Sequence, residues 1–127
     1  MLLVDSSVLI AYYHEGDSQH EKASSAMQGK NADRFLVNDC IIDEVATVLQ
    51  IKAGREKAKL ALDALLNTEA VVFQHTTEEE FFEIVEYFKS QKTKLSFTDC
   101  SIVLLARRSG AKVVTFDGKL QKALEEK

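Results

Sequence analysis

The sequence predicts an α/β fold: a three-layer α/β/α sandwich around a mostly parallel sheet, in one domain over residues 1–127. Three observations predict it. Short apolar runs, rich in Val and Leu, alternate along the chain with longer stretches of helical spacing. The runs are continuously apolar rather than alternating, as in strands covered on both faces by βαβ crossovers. Finally, a chain of 127 residues buries about two-thirds of its unfolded surface. Such a core needs no disulfide or metal staple.

The elements follow in order. Leu2-Leu3-Val4 is the first strand, and a helix is expected from about Ser7 to Tyr13. Asp17 or Ser18 is placed to cap a second helix running to Gly29. Phe35-Leu36-Val37 is the second strand, followed by a helix from Asp39 to about Lys52 that Gly54 stops. Residues 55–66 carry Leu62, Leu65 and Leu66 at helical spacing, and Ala70 to Phe73 form a third strand. Thr77 and Glu80 make a T-x-x-E capping box for a helix with Phe81, Ile84, Val85 and Phe88 as its apolar face. A further helix runs from about Thr98 to Arg108 and closes at Gly110. Lys112 to Phe116 is the fourth strand, and a short helix ends the chain.

Composition narrows the function. A hydrophobic fraction of 46% with 28% charged residues excludes a disordered or low-complexity chain. No apolar run approaches the ~20 residues of a membrane span. The N-terminal MLLVDSSVLIAYYH has no basic region and meets Asp5 early, so it does not read as a signal peptide. Cys40 and Cys100 do not make a disulfide scaffold, which favours a reducing, cytoplasmic setting. The net charge of −4 argues against a polyanion binder that works by bulk positive charge. A nuclease, whose acidic site reaches its polyanion through a cation, stays open.

In open parallel sheets, ligands bind beyond the carboxyl ends of the strands, where strand order reverses. Asp5 directly follows the first strand and Asp117 the last, while Asp99 opens a helix at that edge. Helical spacing separates two further acids. Asp43 shares a solvated stripe with Asp39, Thr47 and Gln50, whereas Glu44 lies with Cys40, Ile41 and Val48 along the buried edge. Each acid also has an ordinary structural reading: Asp5 as a helix cap, Asp99 in a Ser96-x-x-Asp99 capping box, Asp117-Gly118 as a turn, Glu44 as a helix rim. Together they weigh differently. Two unit charges 4 Å apart repel by about 4 kcal/mol at an effective dielectric of 20. Four acids drawn together would therefore need a cation. Oxygen donors without histidine or cysteine partners select Mg²⁺ or Mn²⁺ over zinc.

LLVDSSVLIAYY, IIDEVATVL, LSFTDCSIVLLAR and VVTFDGKL resemble the motifs of the PIN-domain nucleases, most closely the VapC-type toxins of toxin–antitoxin pairs. The likeness covers essentially the whole chain. It implies that Asp5, Glu44, Asp99 and Asp117 form an acidic quartet binding Mg²⁺ or Mn²⁺, with Ser7 and Thr115 as supporting hydroxyls. Where the family often has another acid, this chain has Ile102, beside Ser101. The resemblance further implies endonucleolytic cleavage of RNA to a 5′-phosphate and a 3′-hydroxyl, a cognate antitoxin protein and a homodimer. A PIN-family RNA-processing nuclease without an antitoxin, or a non-catalytic binding module, would share the same motifs.

Two basic clusters are candidates for RNA contact: Lys52, Arg55, Lys57 and Lys59, then Arg107 and Arg108. The remaining chemistry-bearing residues read as structural. His14, His20 and His75 lack metal-ligand spacing, and no serine or cysteine is visibly paired with a base. Cys40 and Cys100 read as packing thiols. Phe81, Phe82, Tyr87 and Phe88 read as core rather than a base-stacking platform. A phosphoacceptor receiver would need an acidic pair where Ser6-Ser7 stand, and a haloacid-dehalogenase-like phosphatase would need a second aspartate at Ser7.

Overall fold

A computed structural model of the chain describes residues 1–28 and 34–126. Its elements are β1 (Leu2–Val4), α1 (Ser6–Tyr13), α2 (His20–Gln28), β2 (Phe35–Asn38), α3 (Asp39–Ala53), α4 (Arg55–Leu66), β3 (Val71–Gln74), α5 (Glu78–Ser90), α6 (Phe97–Ser109), β4 (Lys112–Val114) and α7 (Gly118–Glu125). The four strands pair in the order β3-β2-β1-β4, all parallel. Helices cover the sheet in the expected α/β/α sandwich. Because β2 and β3 extend to one side of β1 and β4 returns to the other, strand order reverses between β1 and β4. That crevice is where this architecture places a ligand.

The patterning explains the packing. The two central strands are almost wholly buried, so they contain no polar residue before Asn38. In α1, Val8, Leu9, Ile10 and Ala11 are all buried, which makes it a core helix rather than an amphipathic one. In α3, Ile41, Val45 and Leu49 recur every fourth residue and are each at most 1% exposed. Truncating Leu49 to alanine would cost about 2–5 kcal/mol. At the end of α6, Gly110 adopts φ 73° and returns its N–H to Ala106 O at 2.9 Å. A side chain there would be strained, which is why a glycine closes this helix.

Several boundaries differ from the sequence reading by a few residues. Helix α1 begins at Ser6, one residue early. Helix α2 begins at His20 rather than at Asp17 or Ser18, because the Asp17 carboxylate accepts the Gln19 N–H at 2.8 Å and closes a turn first. Its expected end at Gly29 lies outside the described residues. Strand β4 stops at Val114, and Thr115 turns its hydroxyl onto Asp5 instead of continuing to Phe116.

The aromatic face of α5 is a correction. Ile84 is buried, but Phe81, Phe82 and Phe88 are 45%, 57% and 46% exposed, so they are not core. Phe81 and Phe88 lean on Phe97, at centroid distances of 5.7 and 6.1 Å, and leave their outer faces to solvent. Cys40, expected to be buried, is half-buried, while Cys100 is buried. Among the described residues no helix is long and apolar enough to cross a membrane.

Candidate metal centre

Asp5 leaves β1 at the crevice and occupies the N-cap position of α1, yet its carboxylate makes no capping bond. It is instead 2% exposed and held by hydroxyls. Ser7 Oγ donates to Asp5 Oδ2 at 2.7 Å, Thr115 Oγ1 to the same oxygen at 2.8 Å, and Ser6 Oγ lies 3.4 Å from Oδ1. The backbone N–H of Asp5 bonds Val114 O at 3.0 Å, which ties the ends of β1 and β4 together. A buried carboxylate normally requires such donors. Here they also fix its orientation.

Thr115 serves two acids. Its hydroxyl donates to Asp5 and accepts the backbone N–H of Asp117 at 3.0 Å. The Asp117 carboxylate in turn caps α7 by accepting the Lys119 N–H at 2.9 Å. Across the crevice, Ser6 Oγ donates to Glu44 Oε2 at 2.9 Å and so stands between Asp5 and Glu44. Glu44 is half-buried and its neighbour Asp43 exposed, as their helical spacing predicts.

Asp99 occupies the third position of α6 in a reciprocal capping box. Ser96 N–H donates to Asp99 Oδ2 at 3.1 Å, and Asp99 N–H to Ser96 Oγ at 3.0 Å. Burial first, and then the negative charges of Asp5 and Asp117, push the Asp99 carboxyl above its ordinary range, against the hydrogen bonds from Ser96 that pull it down. Three carboxylates from β1, α6 and the end of β4 therefore share one field. No ion pair among the described residues neutralises any of the four acids.

Asp39, close by on α3, shows the contrast. It accepts both the N–H and the hydroxyl of Thr76 and lies 3.2 Å from His75 Nδ1, so its charge is spent bracing α3 to the end of β3. The quartet accepts hydroxyl and backbone N–H bonds too, but among the described residues no basic side chain pairs with it. Among the described residues no three carboxylate, imidazole or thiol groups enclose an ion-sized space as they stand. The donor set nonetheless suits a hard divalent cation: carboxylate oxygens only, with Asp5 locked in place and no lysine or arginine occupying the cluster.

Two supporting residues escaped the sequence reading. Ser6, between Asp5 and Ser7 in the sequence, links Asp5 to Glu44. Asn38 is 4% exposed, caps α3 by accepting the Ile41 N–H at 2.8 Å, and donates from Nδ2 to Ser101 Oγ at 3.1 Å. The Ser101 hydroxyl in turn donates to Thr98 O at 2.6 Å, which joins α3 to the first turn of α6. An asparagine between a strand and a helix was a legible capping signal. Cys40, Phe81, Phe97 and Thr98 line an open cleft of about 830 Å³ together with Asp39 and Asp43.

The basic candidates lie elsewhere. Lys52 is eight residues beyond Glu44 on α3, about 12 Å further along the axis. Arg55, Lys57 and Lys59 follow it on α4, and Lys59 pairs with Glu56 at 3.7 Å. Arg108 reaches Glu80 at 2.8 Å and Glu83 at 3.7 Å, while Arg107 lies over the Tyr87 ring and donates to Glu126 O. Both arginines are occupied in holding α5, α6 and the C-terminal segment together.

The family model of the PIN domain matches residues 2–125. No curated protein sequence matches the chain significantly. Among solved structures, Mycobacterium tuberculosis VapC20, described as a sarcin-ricin loop cleaving toxin, superposes with a TM-score of 0.89 at 22% identity, covering 97% of this chain and 95% of that one. FitAcB of Neisseria gonorrhoeae gives 0.69 at 14% identity, covering 98% and 94%. Rickettsia felis VapBC2, bound to a DNA fragment from its promoter, gives 0.67 at 12% identity, covering 96% and 92%. At these identities the likeness is one of fold.

Proposed function

The chain belongs to the PIN-domain family, and we propose that it is a Mg²⁺- or Mn²⁺-dependent endoribonuclease, the toxin of a toxin–antitoxin pair. The observation that carries this reading is the set of un-neutralised carboxylates at the strand-order reversal, with Asp99 held above its ordinary range by burial and by Asp5 and Asp117. The likeness of fold to a structure described as an RNA-cleaving toxin supports it.

Asp5, Asp99 and Asp117 would hold the cation, with Glu44 beside them. Bound there, the ion would supply Lewis acidity toward a water nucleophile and neutralise charge building on the phosphodiester. The chain's own residues do the rest. Ser7 and Thr115 keep Asp5 Oδ2 from rotating, so the ligand is oriented before the substrate arrives. Ser6 fixes Glu44 through Oε2 and leaves Oε1 to orient the attacking water and take up its proton. The water oxygen bonds to phosphorus as the bond to the 3′ oxygen breaks; the departing 3′ oxygen takes a proton from solvent and Glu44 later returns its proton to solvent, which yields a 5′-phosphate and a 3′-hydroxyl.

The partners proposed are an RNA substrate, an antitoxin protein and a second copy of the chain, with the cytoplasm as the site of action. The exposed Phe81, Phe82 and Phe88 of α5 are the natural face for self-pairing, since clustered apolar surface of this kind marks interaction sites. Light scattering should then give a dimer, and F82D a monomer.

Cleavage of a labelled RNA with Mg²⁺, with Mn²⁺ and with chelator tests the central reading. Activity that depends on the metal and is abolished by D5N, D99N and D117N is the expected result. Full activity in chelator, or in any of the three variants, would overturn it.

A further inference from the structure

Two walls form a cleft of about 460 Å³, and each wall is joined along the chain to an element that carries one of the acids. One wall is α7, which starts immediately after Asp117, and the other is the segment between α5 and α6, which leads within a few residues to Ser96 and Asp99. Lys119, Lys122 and Ala123 line the first wall and Glu126 extends it, at the i, i+3, i+4, i+7 spacing of a single helical face. Lys92 faces them from the second, with Gln91 and Thr93. Leu95 and Leu120, 4% and 0% exposed, anchor both walls to the core. The cleft is therefore a fixed feature, and its two walls are the direct continuations of the elements that carry Asp99 and Asp117.

Its charge is opposite to that of the carboxylate centre. Lys92, Lys119 and Lys122 are exposed and take part in no ion pair among the described residues, while Glu126 is the one acid lining the cleft. In a chain of net charge −4, three lysines without an ion pair among the described residues converge on one cleft, whose walls continue along the chain to Asp117 and Asp99. The candidates expected from sequence do not compete for this place: Arg107 and Arg108 are engaged elsewhere, and Lys52 lies about 12 Å along α3 from Glu44.

We infer that this cleft is a phosphate track, in which Lys92, Lys119 and Lys122 bind the backbone of a single-stranded RNA segment flanking the scissile bond. The acids repel the substrate until a cation is present. The lysines supply the attraction that the net charge withholds, without reading sequence. The ligand class rests on the nuclease reading above, so the test reads binding rather than cleavage.

The probe is a short fluorescein-labelled single-stranded RNA of mixed sequence, with affinity followed by anisotropy across a KCl series at constant Mg²⁺. The full-length protein is compared with K92Q/K119Q/K122Q, with its arginine counterpart, and with K112Q at the amino end of β4. Three lost phosphate contacts should reduce the slope of log K against log[salt] by about 2. The arginine variant should restore the slope, and K112Q should match wild type. K119Q/K122Q, a milder change at exposed positions, should lower the slope by about 1.4. An unchanged slope and affinity in both glutamine variants would overturn the track, whether or not the wild type cleaves RNA. RNA binding that loses its slope in the variants, by a protein that never cleaves, would uphold the track and overturn the nuclease reading. Loss of poly-glutamate binding with RNA binding intact would assign the cleft to an acidic protein segment and overturn the inference, and failure of the wild type to bind RNA would overturn both.

Discussion

Replacing Thr115 with valine keeps the shape of the side chain and removes one hydroxyl that does two jobs. That hydroxyl donates to Asp5 Oδ2 at 2.8 Å and accepts the Asp117 N–H at 3.0 Å. Asp5 is 2% exposed and Thr115 8%, so water has little room to substitute. A hydrogen bond to a charged group contributes about 1.5–3 kcal/mol and a neutral one about 1 kcal/mol. The expected loss is therefore about 3 kcal/mol. An unfolding entropy of about 2.1 cal/mol/K per residue converts that to a fall in Tm of about 10 °C. Urea and thermal unfolding of the metal-free protein measure it. Thr115→Ser keeps the hydroxyl and should lose no more than about 1 kcal/mol, the worth of a buried methyl. T115V should also cut RNA cleavage sharply, because Asp5 then keeps only Ser7 as a close donor. If T115V is as stable and as active as wild type, the claim that hydroxyls hold the buried carboxylate is wrong.

Within α3, E44Q should cripple cleavage and D43N should not; equal losses would mean the helical face has been misassigned. D99N should stabilise the metal-free protein at about pH 7, since Asp99 sits above its ordinary range through burial and the charges of Asp5 and Asp117. The sign is fixed by linkage: stability from the proton on Asp99 is full below the ordinary aspartate value of about 3.9 and is lost as pH rises through the raised one. The advantage of D99N in urea unfolding should accordingly shrink toward about pH 4, and an advantage that grows there would contradict it. S6A should lower cleavage more than stability, because Glu44 is only half-buried and loses orientation rather than solvation; the two readouts falling together would make Ser6 merely structural. An antitoxin that inserts an arginine among the carboxylates should bind more weakly as Mg²⁺ or Mn²⁺ rises, since the two compete reciprocally. Calorimetry at matched ionic strength would contradict this if the partner's affinity were indifferent to metal.

The sheet was legible because strands buried on both faces leave unbroken apolar runs, and the capping boxes at Thr77 and Ser96 because two residues three apart identify each other. The acids were legible as positions. Asp5 and Asp117 follow strands, and spacing on α3 separated Glu44 from Asp43. Other features depended on tertiary contact. Whether Asp5 caps α1 or accepts from Ser7 and Thr115 is decided by a residue 110 positions away. The α5 aromatics matched a core pattern, but α5 lies at the margin, so helical spacing alone could not tell a buried face from an exposed one. The lysine cleft joins residues near 92 and 120, and nothing local marks Lys119 and Lys122 off from an ordinary solvated helix. The basic clusters at 52–59 and 107–108 stand out in the sequence by their density.

The central claim is that Asp5, Asp99 and Asp117 together hold the divalent ion that cleaves RNA. Anomalous diffraction from crystals soaked in Mn²⁺ tests it most directly, alongside a cleavage assay on the same preparation. A manganese peak bridging carboxylate oxygens of the three aspartates in the wild type, absent in D99N together with cleavage, is the predicted result. Mn²⁺-dependent cleavage with the peak at other residues, or with no ion at these carboxylates, would contradict the account.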